Sequence, residues 1–455
     1  MAIKDIYRIG TGAGFSSDRL DPAIDLVARG NLDAIVFECV GERTLAFGHR
    51  DRQINPDKGY NPMLERRMQA ILPLCQKHGG TRVITNMGVA IVQGAAEATA
   101  AVAQDLGLNG LKIAAVLGDD VSEDISADDE LWEPGCTVGE VGRPFIGANA
   151  YLGADTILPA LEADADVVIT GRVSDPSLFL APLRQHFGWE EDAWPVLGAG
   201  TMIGHLMECA ALVTGGYFAD PGLKDVDNLA HVGFPIAEVA ADGSAVITKL
   251  DGTGGRVDEQ VVKEQLLYEV HDPARYLNPD VVANFSDARL TEEGKDRIRV
   301  NGGSGTERPE KLKVTVAFDG GYLAEAEVSY AGANATARAR LAGDVVEERL
   351  AHTHGSNAPR RIDLIGAASI HASALDEFDE SRDVRLRCAM RGQSRDEAEN
   401  LLWEVESLLN CGPSGGGGYR GHITPSVMTY SAFIGRDKIC LLYTSDAADE
   451  GLGVD

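Results

Sequence analysis

The sequence has no apolar run long enough to span a bilayer. It has no signal-peptide hydrophobic region either, since Met1-Ala2-Ile3-Lys4-Asp5 leads straight into a strand pattern. Both absences set the expectation of a cytoplasmic protein without membrane contact. Positive charge is scarce: 41 Lys and Arg stand against 70 Asp and Glu, for a formal charge of -29. A polyanion would be repelled, so nucleic acid is not an expected partner. None of the seven cysteines belongs to a CxxC pair. Their odd number and scattered spacing point to reduced, mostly buried thiols and argue against zinc. After the first strand the chain reads Gly10-Thr11-Gly12-Ala13-Gly14. That is neither the GxGxxG dinucleotide fingerprint nor a Walker A loop, so NAD is not an expected cofactor.

Hydrophobic residues make up 44% and charged residues 24%, the balance of an ordinary globular protein, and 455 residues suffice for two or three domains. Apolar strands at 5–10, 33–40, 82–85, 111–117 and 167–169 alternate with helical stretches. This pattern predicts an α/β core over residues 1–300, a Rossmann-like parallel sheet with helices on both faces. An acidic insert near 120–146 and a hairpin near 234–249, turned at Asp242-Gly243, interrupt it. The polar stretch Gly41 to Tyr60 reads as a long loop or lid. Beyond the Gly-rich boundary at 301–309, residues 310–439 predict a smaller α+β module, loosely ferredoxin-like. It begins with a hairpin, Leu312 to Phe318 and Ala324 to Tyr330, through Asp319-Gly320-Gly321. Its amphipathic helix from Ser394 has Glu397 placed for a capping box. Residues 440–455 read as the translation of a sequencing-library adapter and are set aside.

In open α/β sheets, ligands bind beyond the carboxyl ends of the strands. Thr11, Glu38, Asn86, Asp119, Asp120, Thr170 and Arg172 all fall at such ends. The expected ligand wall comprises Thr11, Gly12, Gly14 and Ser16, then Asn86 and Gly88, then Asn149, then Thr170, Arg172, Ser174 and Asp175. Arg172 suits a planar anion. Gly254 and Arg256 make a second anion-binding loop. Glu38, Asp119 or Asp120 would serve as general base, and His205 as proton donor oriented by Glu208, one turn further on. Asp119-Asp120 could instead hold a divalent metal such as magnesium, or cap the following segment. Turn chemistry alone also explains each Asn, Asp and Gly, and a polar helix face explains His205 and Glu208.

The runs Asn149-Ala150-Tyr151-Leu152-Gly153, Thr170-Gly171-Arg172-Val173-Ser174-Asp175, Gly204-His205-Leu206-Met207-Glu208-Cys209, Thr214-Gly215-Gly216-Tyr217-Phe218 and Thr248-Lys249 through Gly255 resemble the acyclic terpene utilisation family AtuA. The resemblance implies a place in citronellol and geraniol breakdown through branched acyl-CoA intermediates. It carries no catalytic roles. Where the family shows Asn-Pro after the Asn-x-Gly turn of the third strand, this chain has Ile91-Val92. Two functions follow as expectations. One is an enzyme of lyase, hydratase or isomerase type, acting on a small acid or CoA thioester. The other is a non-catalytic ligand-binding or assembly subunit of an acyl-CoA pathway. The sequence leaves a homo-oligomer open.

Overall fold

A computed structural model describes residues 5–78, 80–370 and 381–439, and the backbone alone of 442–447. The chain divides into two compact units, residues 1–317 with 429–455, and residues 318–428. The first unit opens with β1 (Ile6–Ala13), α1 (Asp21–Arg29), β2 (Ala34–Phe37), α2 (Glu42–Ile54), α3 (Leu64–Lys77), β3 (Arg82–Thr85), α4 (Val92–Asp105) and β4 (Lys112–Leu117). Then come β5 (Phe145–Ala150), α5 (Leu158–Glu162), β6 (Val167–Thr170), α6 (Asp175–Phe187) and α7 (Trp194–Glu208). It continues with β7 (Pro235–Ala240), β8 (Ala245–Lys249), α8 (Glu259–Leu267), β9 (Tyr276–Leu277), β10 (Val282–Asn284), β11 (Arg289–Gly294), β12 (Arg297–Asn301) and β13 (Ser304–Thr306). From there the chain runs through β14 (Lys311–Ala331), α9 (Ala335–Glu348), β15 (Arg360–Ile365), β16 (Asp383–Gly392), α10 (Arg395–Cys411), β17 (Gly417–Gly435) and β18 (Leu442–Ala447).

The main sheet has the order β11-β12-β8-β7-β1-β2-β3-β6-β4-β18. Its centre, β1, β2, β3, β6 and β4, is parallel. Its flanks are antiparallel, with β7, β8, β12 and β11 beyond β1, and β18 against β4. The Rossmann-like parallel sheet expected from the sequence is therefore corrected to a mixed one. The hairpin at Asp242-Gly243 does not sit apart from the core; its first strand bonds directly to β1. Of the tail read as adapter-derived, 440, 441 and 448–455 lie outside the described residues, and 442–447 forms β18.

Alternation decides the layers. Ile35 and Phe37 face a core that also holds Leu26 of α1, Met68 and Ile71 of α3 and Val102 of α4. Ala34 and Val36 point to the opposite face, where α6 packs on β2 and on α7. Each large side chain buried this way contributes roughly 2 kcal/mol. β6 enters between β3 and β4 after β4 has been laid down, so the order of strands reverses there. Such a reversal leaves a crevice outside the carboxyl ends.

Two local expectations change. The stretch read as a lid is mostly helix α2. Its apolar stripe is narrow: Leu45, Ala46 and His49 are buried, and the arginines lie outside that stripe. The Gly-rich stretch after the first strand belongs largely to β1, which runs to Ala13. A Cβ at Gly12 would lie 2.5 Å from the Phe37 ring, and one at Gly14 would meet the backbone of Glu208 and Cys209. These glycines allow close packing, and neither is left open to cradle a phosphate.

The second unit takes its strands from β14 through β17, in the order β15-β16-β14-β17, and the chain succession is β-α-β-β-α-β. Ala324, Ala326, Val328 and Tyr330 face one core with Leu386, Cys388 and both helices. The hairpin expected through Asp319-Gly320-Gly321 is absent, because β14 runs straight through it. Asp319 Oδ1 accepts the Gly321 amide at 2.7 Å, and Gly321 has φ +77°, but the chain does not reverse. Ser394 caps α10 by accepting the Glu397 amide at 3.1 Å, and Glu397 reaches back to the Gln393 amide, one residue before the expected partner. Among the described residues no helix is long and apolar enough to cross a membrane.

Candidate functional site

At the carboxyl ends of the parallel strands the polar residues bond to one another. Glu38, just past β2, accepts from the Val40 amide at 2.8 Å and from Asn86 Nδ2 at 3.0 Å. Asn86, just past β3, accepts the Cys39 amide at 2.7 Å. Asp119 accepts from the Arg172 amide at 2.6 Å and from Asn149 Nδ2 at 2.7 Å. Asn149 Oδ1 meets His49 Nε2 on α2. Because Asn149 donates to a carboxylate through its nitrogen, its oxygen must accept, so the His49 proton sits on Nε2. Burial pushes the Glu38 carboxyl up to about 8 and that of Asp119 to about 6, and it holds the His49 imidazole below its ordinary range. Glycine is required beside this layer. A Cβ at Gly171 would lie 2.2 Å from Asp119 Oδ2, and one at Gly88 would lie 2.6 Å from the Thr170 carbonyl.

A cavity of about 350 Å³ opens beside this layer, lined by Tyr151, Arg172, Ser174, Asp175, Tyr276, Leu277, Asn278, Pro279, Lys311, Leu312, Lys313 and Phe433, among others. Helix α6 presents Asp175 in its first turn, where Pro176 favours a helix start and the helix dipole favours an acid. Arg172 lies 3.9 Å from the centre of the Tyr151 ring, donates to the Val40 carbonyl and contacts Asp175 at 3.1 Å. Its Nε is buried without a hydrogen-bond partner among the described residues. Lys313 lies 4.8 Å from the centre of the same ring and 3.1 Å from Glu42. The Tyr151 hydroxyl donates to Glu42. Burial alone would raise Glu42, but Arg172, the Tyr151 hydroxyl and Lys313 outweigh it and bring the carboxyl down to about 2. Burial raises Asp175 despite Arg172 beside it. Ser174 Oγ accepts from Asn278 Nδ2 at 2.7 Å.

His205 and Glu208 share a helix face as expected, with Nδ1 and Oε1 2.9 Å apart. A carboxylate only accepts, so Nδ1 carries a proton. The ring lies 5.4 Å from Tyr276 and 5.7 Å from Phe285, which are themselves 5.1 Å apart, so the three rings form one cluster, and Nε2 is buried without a hydrogen-bond partner among the described residues. Burial raises Glu208 to about 7. Tyr276, which packs on the imidazole, itself lines the cavity.

Several expected site residues lie elsewhere. Thr11 Oγ1 donates to the Met207 carbonyl at 2.8 Å, and Thr170 Oγ1 points to the Gly171 carbonyl at 3.2 Å. Ser16 accepts from Asn61 at 2.9 Å. Asp120 diverges from Asp119, because consecutive residues leave a strand end in different directions. It pairs with Arg52 at 3.1 Å and accepts from Ser122 Oγ at 2.6 Å, at a second, broader cleft of about 640 Å³. The two carboxylates thus keep separate partners, and among the described residues no group of three His, Cys, Asp or Glu is placed to hold a metal. Gly254 packs against the Asn228 carbonyl, and Arg256 is taken up by Asp258 and the Asp225 carbonyl. That loop presents no free guanidinium.

The sequence reading passed over Glu42, Lys313, Tyr276 and the role of His49. Glu42 was hidden in a segment read as loop. The alternation Lys311-Leu312-Lys313-Val314-Thr315-Val316 was the one available signal, since it places two lysines on one side of a strand.

Fold and site together define a mixed α/β protein with a small cavity at its strand ends, lined by cationic, polar and apolar side chains. The model of the acyclic terpene utilisation family, AtuA, matches residues 7–441, and the chain belongs to that family. No curated protein and no solved structure matches it.

Proposed function

We infer that the protein has a role in acyclic terpene utilisation, a reading its family membership supports. Beyond that, we propose that the cavity binds a small organic acid, or the acyl end of its CoA thioester. The observation that carries this reading is the pairing of Arg172 and Lys313 over one Tyr151 ring, in a cavity also lined by the apolar Leu277, Pro279, Leu312 and Phe433. In a chain of charge -29, two neighbouring cations, each with a carboxylate partner of its own, offer the donors that a carboxylate or a polarised thioester carbonyl would take up. Asp175 is the carboxylate on the described wall, and its raised proton affinity suits it to give or take a proton beside the bound acyl group. Isomerisation, hydration and lyase reactions all need that step. Asp119 and Glu38 sit behind the wall, where they fix the Arg172 backbone and the strand ends. The test is calorimetric titration of octanoate into the wild-type protein and Lys313→Met. Saturable binding that weakens at least about tenfold in the variant supports the reading; equal affinity for both proteins refutes it.

A further inference from the structure

Phe433 is half out of the cavity, 50% exposed, and its ring meets Trp132 edge-on at 5.7 Å with an interplanar angle of 82°. Trp132 is 74% exposed. Two exposed aromatic rings are ordinarily a liability, yet this pair is braced. The Trp132 amide donates to the Ser431 carbonyl at 2.8 Å. Glu133 accepts from the Ser431 amide at 2.7 Å and from its hydroxyl at 2.6 Å. Leu131, on the other side of Trp132, is buried. The acidic insert is therefore pinned to the strand that carries Phe433, and the pinning fixes the two rings side by side.

We propose that Phe433 and Trp132 form a second subsite that receives the apolar tail of a ligand whose acid group lies at Arg172 and Lys313. This rests on the cavity being the acid site. The substrate class becomes an amphipathic acyl compound whose chain reaches from Arg172 and Lys313 past Phe433 to Trp132. Phe433 is shared by the cavity and the exposed pair, so the apolar surface is continuous from one to the other. The tail would lie along the Trp132 ring and remove it from water, whereas a short acid would stop before reaching it. Tail length is then a determinant of specificity, because each methylene buried strengthens binding roughly fourfold.

The test uses butanoate and octanoate with the wild-type protein and Trp132→Ala, by titration calorimetry. Trp132 is exposed, so its removal leaves the fold in place. Octanoate should bind the wild-type protein at least about tenfold tighter than butanoate, and Trp132→Ala should remove most of that advantage while leaving butanoate unchanged. In parallel, octanoate and not butanoate should shield Trp132 from iodide quenching, read as the difference between wild-type and Trp132→Phe fluorescence. Octanoate affinity unaltered by Trp132→Ala overturns the subsite and leaves the cavity reading standing. If that result comes with an altered sedimentation coefficient, the patch is a contact between copies of the chain, and the subsite is equally overturned. Failure of both acids to bind removes the cavity reading and the subsite with it.

Discussion

Two acid-bearing pairs sit near the same strand ends and differ in access. His205–Glu208 is closed: both side chains are buried, and Tyr276 and Phe285 pack against the imidazole as one ring cluster. Arg172–Asp175 is open along one edge, with the Asp175 side chain about a third exposed while Arg172 is 3% exposed. Both pairs are charge-compensated within the protein. The difference teaches that a paired ion is open to a ligand, as the proposed function requires, when one partner keeps an exposed edge. Without that edge the same chemistry fastens helix α7 in place.

The largest expected effect breaks the open pair. Arg172→Ala removes a buried cation facing Asp175 and Glu42 and leaves the Val40 carbonyl short of a donor. Stability should fall by about 3 kcal/mol, read from the urea midpoint, because one member of a buried pair is left uncompensated. On the proposed function Arg172 bears on ligand binding as well as on the fold. The stacking on Tyr151 and the bond to Val40 tie it to both.

The second effect concerns pH. Glu38 binds its proton more tightly folded, near about 8, than its ordinary value of 4.5. The folded state thus holds the extra proton between those values, so stability is full below about 4.5 and falls as pH rises towards 8. Glu38→Gln keeps an oxygen for Val40 and Asn86. It should flatten the fall in melting temperature between pH 5 and pH 8, and an unchanged slope would assign the fall to other groups. Glu208 contributes in the same direction over a narrower window, up to about 7.

Much of this arrangement was legible from the chain. Apolar runs that stop at Glu38, Asn86, Asp119 and Thr170 marked the strand ends, because a buried parallel strand must be continuously apolar and its exit need not be. The helical spacing of His205 and Glu208 gave their contact directly. What the pattern did not carry was who meets whom across long separations. Lys313 and Glu42 are 271 residues apart and come together only because β14 runs beside β5. The antiparallel flank was missed for a related reason: hairpin strands look alike whether they stand alone or join an edge.

The third effect is smaller. Lys313→Met should cost less than about 1 kcal/mol of stability, since Lys313 and Glu42 are both partly exposed, while acid binding suffers most. A loss of fold comparable to that of Arg172→Ala would erase the distinction between a scaffold cation and a ligand cation. The smallest effect is that of Asp120→Asn. Its pairing with Arg52 is exposed, so stability should stay within about 0.5 kcal/mol of wild type and acid affinity should not change. Asp119→Ala, by contrast, removes the one oxygen that accepts from both the Arg172 amide and Asn149, and chemical denaturation should show it to be clearly the weaker of the two variants.

The most direct test compares octanoate with octanamide by titration calorimetry against the wild-type protein. The two share shape and apolar surface and differ in charge. An acid site at Arg172 and Lys313 predicts that octanoate binds at least about tenfold more tightly, with the difference shrinking in high salt. Equal affinities, or tighter binding of the amide, would contradict the account.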